Sequence, residues 1–302
     1  MRTIKKVASH IFIDGFGGMT QGLFATLIIG TMIQQIGLLI GGSTGNVIYL
    51  LGKAAAALTS AGIGVGVAVK YGESPLVTVS AAVAAMVGGY AGKITGGTFF
   101  VDGNAVLAGP GEPLGAFIAA FAGITCGHLV SGKTKVDIIV TPVITIGAGS
   151  VVGLLVGPPI SQMMTGLGSI INWATEQRPF IMGIVVSVVM GMVLTLPISS
   201  AALGIILNLS GLAAGAATIG CCCNMVGFAV ASYRENKFGG LVAQGLGTSM
   251  LQVPNIMRHP LIWLPVIFSS AILGPVSTIL ANMQNNATGS GMGSAGLVGQ
   301  IT

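Results

Sequence analysis

The segment Asn104 to Phe117, NAVLAGPGEPLGAF, sets one carboxylate, Glu112, between Gly111 and Pro113. An ionised carboxylate accepts hydrogen bonds through two oxygens, and a protonated one can donate. Pro110 and Pro113 cannot both lie inside a regular helix, because each lacks an N–H and clashes with the preceding turn. The residue before each proline is also pushed out of helical geometry. The backbone is therefore expected to break here, with a helix restarting near Pro113, since proline suits a first helical turn. Two readings of Glu112 stay open. As a ligand or proton site, it is a costly carboxylate at membrane depth, facing the protein interior or a wet cavity. As a cap, it is a carboxylate at a helix N-terminus on the membrane surface.

Asn104, Asn224, Gln244 and Asn285 also fall at expected helix breaks. Broken helices leave N–H and C=O groups that bind polar solutes as side chains do. Four amides and one carboxylate, with no arginine among them, suit a neutral, hydroxyl-rich solute better than an anion. Other chemistry is sparse. His10, His128 and His259 are dispersed, and Cys126 and Cys221 to Cys223 form no CxxC pair, so no metal or redox site is expected. CCC reads as small-residue packing. SGKT at 131–134 lacks the upstream glycine of a phosphate loop. No self-contained catalytic site and no cofactor are expected.

The elements around these residues belong to a membrane protein. Only 6% of the 302 residues are charged and 53% are hydrophobic, against about 25% charged in a soluble domain. The mean hydropathy is +0.92. Long apolar runs argue for an all-α, polytopic protein of about eight to ten segments, some of them half-spans, and the 49 glycines suit close helix packing. Twelve basic residues make no nucleic-acid surface; they read as a positive-inside bias at loops.

In chain order, residues 1–18 read as a short amphipathic or loop segment. Leu23 to Ile40, Asn46 to Val69 and Pro75 to Gly92 read as spans, with Lys53 snorkelling from the second. Lys93 to Gly103 reads as a polar loop, Leu114 to Val130 as the restarted helix, and Val136 to Val156 as a span. Gly157 to Gln177, with Pro158, Pro159 and Trp173, reads as an interfacial linker. Phe180 to Leu196 is apolar. Ala201 to Ala231 is too long for one span, is interrupted by Asn208, Gly211, Gly215, Gly220 and Asn224, and reads as two shorter helices meeting at a break. Leu241 to Gln252 is too short to span, Pro260 to Leu280 is a last span, and the tail from Asn285 reads as loose.

TPVITIGAGSVVG at 141–153 aligns with LPVIFSSAILGPV at 264–276, each after a basic loop. A two-fold repeat is expected, 1–160 and 179–302 joined by a linker at 161–178, with the solute site between repeats. If 241–252 is re-entrant, the basic residues Arg2, Lys5, Lys6, Lys70, Lys133, Lys135, Arg234, Lys237 and Arg258 share one face, with Lys93 and Arg178 opposite, and the N-terminus is expected to be cytoplasmic.

GPGEPLGAF, VSGKTKVDIIVTPVITI, VGLLVGPPIS, GFAVASYRENKFGGLVAQGLGTSMLQVPN and NNATGSGMGSAGLVGQ occur in order, and over residues 19–300 the chain resembles the EIIC-like membrane proteins of the bacterial phosphotransferase system. The branch is the one that includes the perfringolysin regulator-like proteins. Gly111-Glu112-Pro113 also resembles the acid–proline motif of glucose-type EIIC proteins, where the acid contacts sugar. The resemblance implies a dimeric permease in the bacterial cytoplasmic membrane, transporting a sugar or similar polar solute. A sensor or regulator on the same scaffold, or a proton-coupled transporter, are the alternatives. No EIIA or EIIB sequence is attached, so a phosphate donor would be a separate EIIB protein. The branch is also expected to continue into one more helix after GLVGQ.

Overall fold

The computed structural model describes residues 14–101, 103–107, 109–207 and 209–301. Arg2, Lys5, Lys6, His10 and Asn208, and with them most of the expected N-terminal segment, lie outside the described residues. The chain divides into two units, one formed by 14–30 and Leu50–Gln162, the other by Thr31–Tyr49 and 163–301. Five helices are long and apolar enough to cross a membrane, or six if one bent pair is counted as a span; two shorter apolar helices accompany them. Large apolar side chains such as Ile138, Leu155 and Leu280 point outward, as lipid-facing residues do. The fold is all-α and polytopic.

The helices, in order, are α1 Phe16–Leu23, α2 Ile29–Ile40, α3 Gly42–Ala57, α4 Thr59–Lys70, α5 Pro75–Gly89 and α6 Ala91–Thr95. After a two-residue hairpin come α7 Pro113–Val130 and α8 Asp137–Thr175. The later ones are α9 Pro179–Thr195, α10 Ser200–Ile206, α11 Gly211–Ala231, α12 Tyr233–Val242, α13 Val253–Arg258, α14 Leu264–Pro275, α15 Ala287–Ser290 and α16 Val298–Ile301.

In the first unit, α1 packs on α4 so closely that a Cβ at Gly18 would stand 2.6 Å from the Gly66 carbonyl oxygen. This helix begins by Phe16, earlier than the Leu23 start that the sequence suggests, because its glycines serve helix contact and not a loop. Helices α5 and α7 run antiparallel, Gly88 against Gly115 and Val77 against Gly127, and α8 returns antiparallel to α7 with Thr145 beside Gly123. Ser74 caps α5 through the Val77 N–H and lies 3.0 Å from the Ser131 hydroxyl. His128 meets Glu73 at 3.1 Å. The turns 71–74 and 131–136 therefore share one end of this unit.

The expected single span over Asn46 to Val69 is two helices, α3 and α4, bent by 53° across Leu58. The expected linker around Gly157 to Gln177 is helical to Thr175, with Pro158 and Pro159 inside α8. A proline costs a helix one donor, and membrane helices tolerate that. The polar loop at Lys93 to Gly103 contains α6 and the first strand of the hairpin, Phe100–Val101, paired antiparallel with Asn104–Ala105.

In the second unit, α9 and α14 are antiparallel. The Ser187 hydroxyl donates to the Ser270 carbonyl at 2.7 Å and the Thr278 hydroxyl to the Pro179 carbonyl at 2.9 Å. The long apolar run after Ala201 is split into α10 and α11, as its length suggests. Between α12 and α13 lie a π turn, Ala243–Gly247, and a 3₁₀ turn, Ser249–Gln252. The tail is not loose. Asn285 bridges to Gly211, the Ser200 hydroxyl donates to the Gly291 carbonyl at 2.6 Å, and Ser290, Ala295 and Val298 are buried. Its glycines, serines and alanines are small enough to lie against helix backbone, which composition alone reads as disorder.

Candidate functional site

In the first unit, two helix breaks meet. One is the bend at Leu58. The other is the turn Gly109 to Glu112, where Gly109 and Gly111 take left-handed φ values of +83° and +77°. Such values favour glycine, because a Cβ is strained there. A Cβ at Gly111 would also press on the Ser60 hydroxyl and stand 3.2 Å from the Tyr90 ring. The Glu112 N–H donates to the Gly89 carbonyl at 2.7 Å, and its own carbonyl accepts from the Ala116 N–H at 3.0 Å as the first bond of α7. Glu112 is the N-cap residue of α7, yet its side chain makes no capping hydrogen bond. The helix restarts at Pro113 because proline needs no donor there.

Depth follows from helix lengths. From the shared turns at 71–74 and 131–136, α4, α5 and α7 run about 16–26 Å to the break, at 1.5 Å per residue. With those turns at one interface, Glu112 lies within a hydrocarbon core about 30 Å thick. The half-buried carboxylate thus belongs to the break between α5 and α7. Ser60 and Tyr90, which the sequence did not single out, hold this turn. The Ser60 hydroxyl donates to the Pro110 carbonyl at 2.9 Å, and the Tyr90 hydroxyl to the Gly109 carbonyl. The signal available was an aromatic directly after Gly88-Gly89 in an otherwise small-residue helix.

The remaining expected site residues stand elsewhere. Asn104 is exposed on the second strand of the hairpin, opposite Val101. Asn224 is fully buried in the second unit, inside α11 and not at the helix break expected for it. Its amide nitrogen donates to the Gly220 carbonyl and the Ser270 hydroxyl, both at 3.2 Å. Its oxygen accepts from the Trp263 indole and lies in hydrogen-bond reach of the Thr195 hydroxyl, both at 3.1 Å. Thr195 in turn meets Ser249 at 2.8 Å. Gln244 donates to the Ser232 hydroxyl at 2.8 Å and accepts from Gln252 at 2.9 Å, while Gln252 accepts from Asn255 at 2.9 Å. Asn285 donates to the Thr218 hydroxyl and the Gly299 carbonyl, at 2.9 and 2.8 Å. Trp263, Thr195 and Ser249 were not visible as partners because their contacts span tens of residues.

No group of three or more histidine, cysteine, aspartate or glutamate side chains able to hold a metal occurs among the described residues. What remains is uncharged hydrogen-bonding chemistry plus one carboxylate at a helix break. With its apolar helices the chain is a polytopic helical membrane protein. The model of the family described as phosphotransferase system, EIIC, matches residues 13–302, and the chain belongs to that family. At family level it is a sugar permease component of the phosphotransferase system, working with EIIA and EIIB partners. No curated protein matches the chain.

Proposed function

We propose that this chain moves a sugar or sugar alcohol across the bacterial cytoplasmic membrane, with Glu112 as a direct ligand for solute hydroxyls. The observation that carries the reading is the placement of Glu112: a carboxylate at a helix restart between apolar helices that does not cap its own helix. Hydrogen bonds to an ionised acceptor contribute about 1.5–3 kcal/mol, roughly twice a neutral bond. Asn104, Asn224, Gln244 and Asn285 are proposed as further polar positions of the pathway. Of these, Asn224, Gln244 and Asn285 already spend their amide groups on protein partners, so their part is to shape the surroundings.

The reading includes a duplication of the chain, with 1–160 and 179–302 as repeats. The pair α7–α8 and the pair α11–α14 each pack antiparallel, and the aligned motifs lie on α8 and α14. The duplication makes Ser210, the N-cap of α11, the counterpart of Glu112. A cytoplasmic N-terminus and a homodimer belong to the same reading, with EIIB as the phosphate donor.

Uptake into proteoliposomes tests it, using a panel of free hexoses, hexitols and pentitols, with and without a proton gradient and an EIIA–EIIB phosphate relay. Accumulation of at least one panel member as its phosphate, requiring the relay, is expected. Uptake that needs only the proton gradient assigns Glu112 to proton carriage. Absence of uptake with retained binding favours a sensor on the same scaffold.

A further inference from the structure

We propose that Ser60 and Tyr90 are positioning residues that clamp the two helix breaks of the first unit together and so fix the direction of the Glu112 carboxylate. This rests on Glu112 being a solute ligand.

The turn from Gly109 to Glu112 is intrinsically soft, because two of its four residues are glycines in left-handed conformation. A ligand group on a soft turn loses affinity to the ordering it undergoes on binding. Here each of the four residues is held from outside the turn. Tyr90 takes the Gly109 carbonyl and Ser60 the Pro110 carbonyl. Gly111 packs on both side chains, and Gly89 accepts the Glu112 N–H.

The clamp reaches back into the other break. Ser60 is two residues past the bend at Leu58, so the bend decides where its hydroxyl stands. The Ala57 carbonyl, in the last turn of α3, lies 3.4 Å from the Tyr90 hydroxyl. The single Tyr90 proton serves the Gly109 carbonyl, and the longer Ala57 contact is the second acceptor within its reach. The Tyr90 ring is itself fixed: it is 1% exposed, its centroid is 5.4 Å from that of Phe99, and the Lys93 ammonium stands 5.4 Å from its centre. Rigid supports of this kind give a ligand group its aim.

A purely structural role predicts something different, and a double-mutant cycle separates the two. Tyr90→Phe and Ser60→Ala each remove one hydroxyl with little change of shape. Affinity for the best-bound member of the hexose, hexitol and pentitol panel is measured by calorimetry on the purified full chain, with thermal unfolding in parallel. In the wild-type background each variant is expected to weaken binding about twofold to tenfold, the value of one hydrogen bond. In the Glu112→Gln background the same variants are expected to change it less than about twofold, because the group they aim is gone. Equal losses in both backgrounds, or unchanged affinity in folded Tyr90→Phe and Ser60→Ala, overturn the clamp while leaving Glu112 as ligand. Unchanged affinity in Glu112→Gln alone, or no binding of any panel sugar to the wild type, overturns the reading beneath it and the clamp with it.

Discussion

The main-chain N–H of Glu112 donates to the carbonyl oxygen of Gly89 at 2.7 Å, across 23 residues of sequence. The donor opens α7 and the acceptor closes α5, so one hydrogen bond ties the end of one helix to the start of another. Both groups are among those that a helix leaves unsatisfied at its ends, and in hydrocarbon an unsatisfied group costs several kcal/mol.

Replacing Gly111 with alanine strains a left-handed residue and drives a methyl onto Ser60. The left-handed cost alone is about 1–2 kcal/mol. Gly111→Ala is expected to lower the unfolding temperature and weaken sugar binding together, whereas Gly97→Ala shares the positive φ with nothing within 4 Å and is expected to cost less. Equal effects at the two positions would show that contact at the break is unimportant.

Asn224 joins four elements of the second unit. Asn224→Ala leaves the Trp263 indole and the Ser270 hydroxyl each short of a partner, at about 1–3 kcal/mol for a stranded buried group. A fall in thermal stability well beyond that of Asn104→Ala, whose side chain is exposed, is expected. Similar unfolding temperatures for the two variants would contradict the buried network.

The turns 71–74 and 131–136 lie at one end of the first unit, tied by the Ser74–Ser131 contact. Cysteines placed at Gly72 and Gly132, in a background without the four native cysteines, should react with an impermeant thiol reagent from the same side of the membrane. Reaction from opposite sides would overturn the helix directions described for α5 and α7.

The break before Pro113 was legible from the chain because two prolines and a carboxylate three residues apart leave few backbone options. That the long apolar run holds two helices was legible from its length, but the place of the break was not: Gly211 opens α11, whereas Gly215, Gly220 and Asn224 lie inside it. Pro158 and Pro159 misled, because a proline pair signals a break in water, while α8 passes through both in an apolar setting. The tail from Asn285 misled for a related reason: glycine and serine imply flexibility only when nothing packs on them, and Ser290 is fully buried. Glu112 and Asn224 could be picked out as polar residues in apolar runs. Their partners could not, since Gly89, Ser60 and Tyr90 reach Glu112's turn, and Trp263 and Ser270 reach Asn224, only through the fold.

The most direct test is sugar affinity in Glu112→Gln and Glu112→Ala, measured beside thermal stability. The glutamine keeps the shape but loses the charge and one acceptor. As a solute ligand, Glu112→Gln should bind about tenfold more weakly, since 1.4 kcal/mol is one decade and the charge-assisted bond exceeds a neutral one by about that much. Glu112→Ala should bind more weakly still, and that loss should not track a loss of helix stability, since the side chain makes no capping hydrogen bond to α7. Unchanged affinity in a folded Glu112→Ala protein, accompanied by a loss of stability, would return this carboxylate to the role of a helix cap and contradict the account.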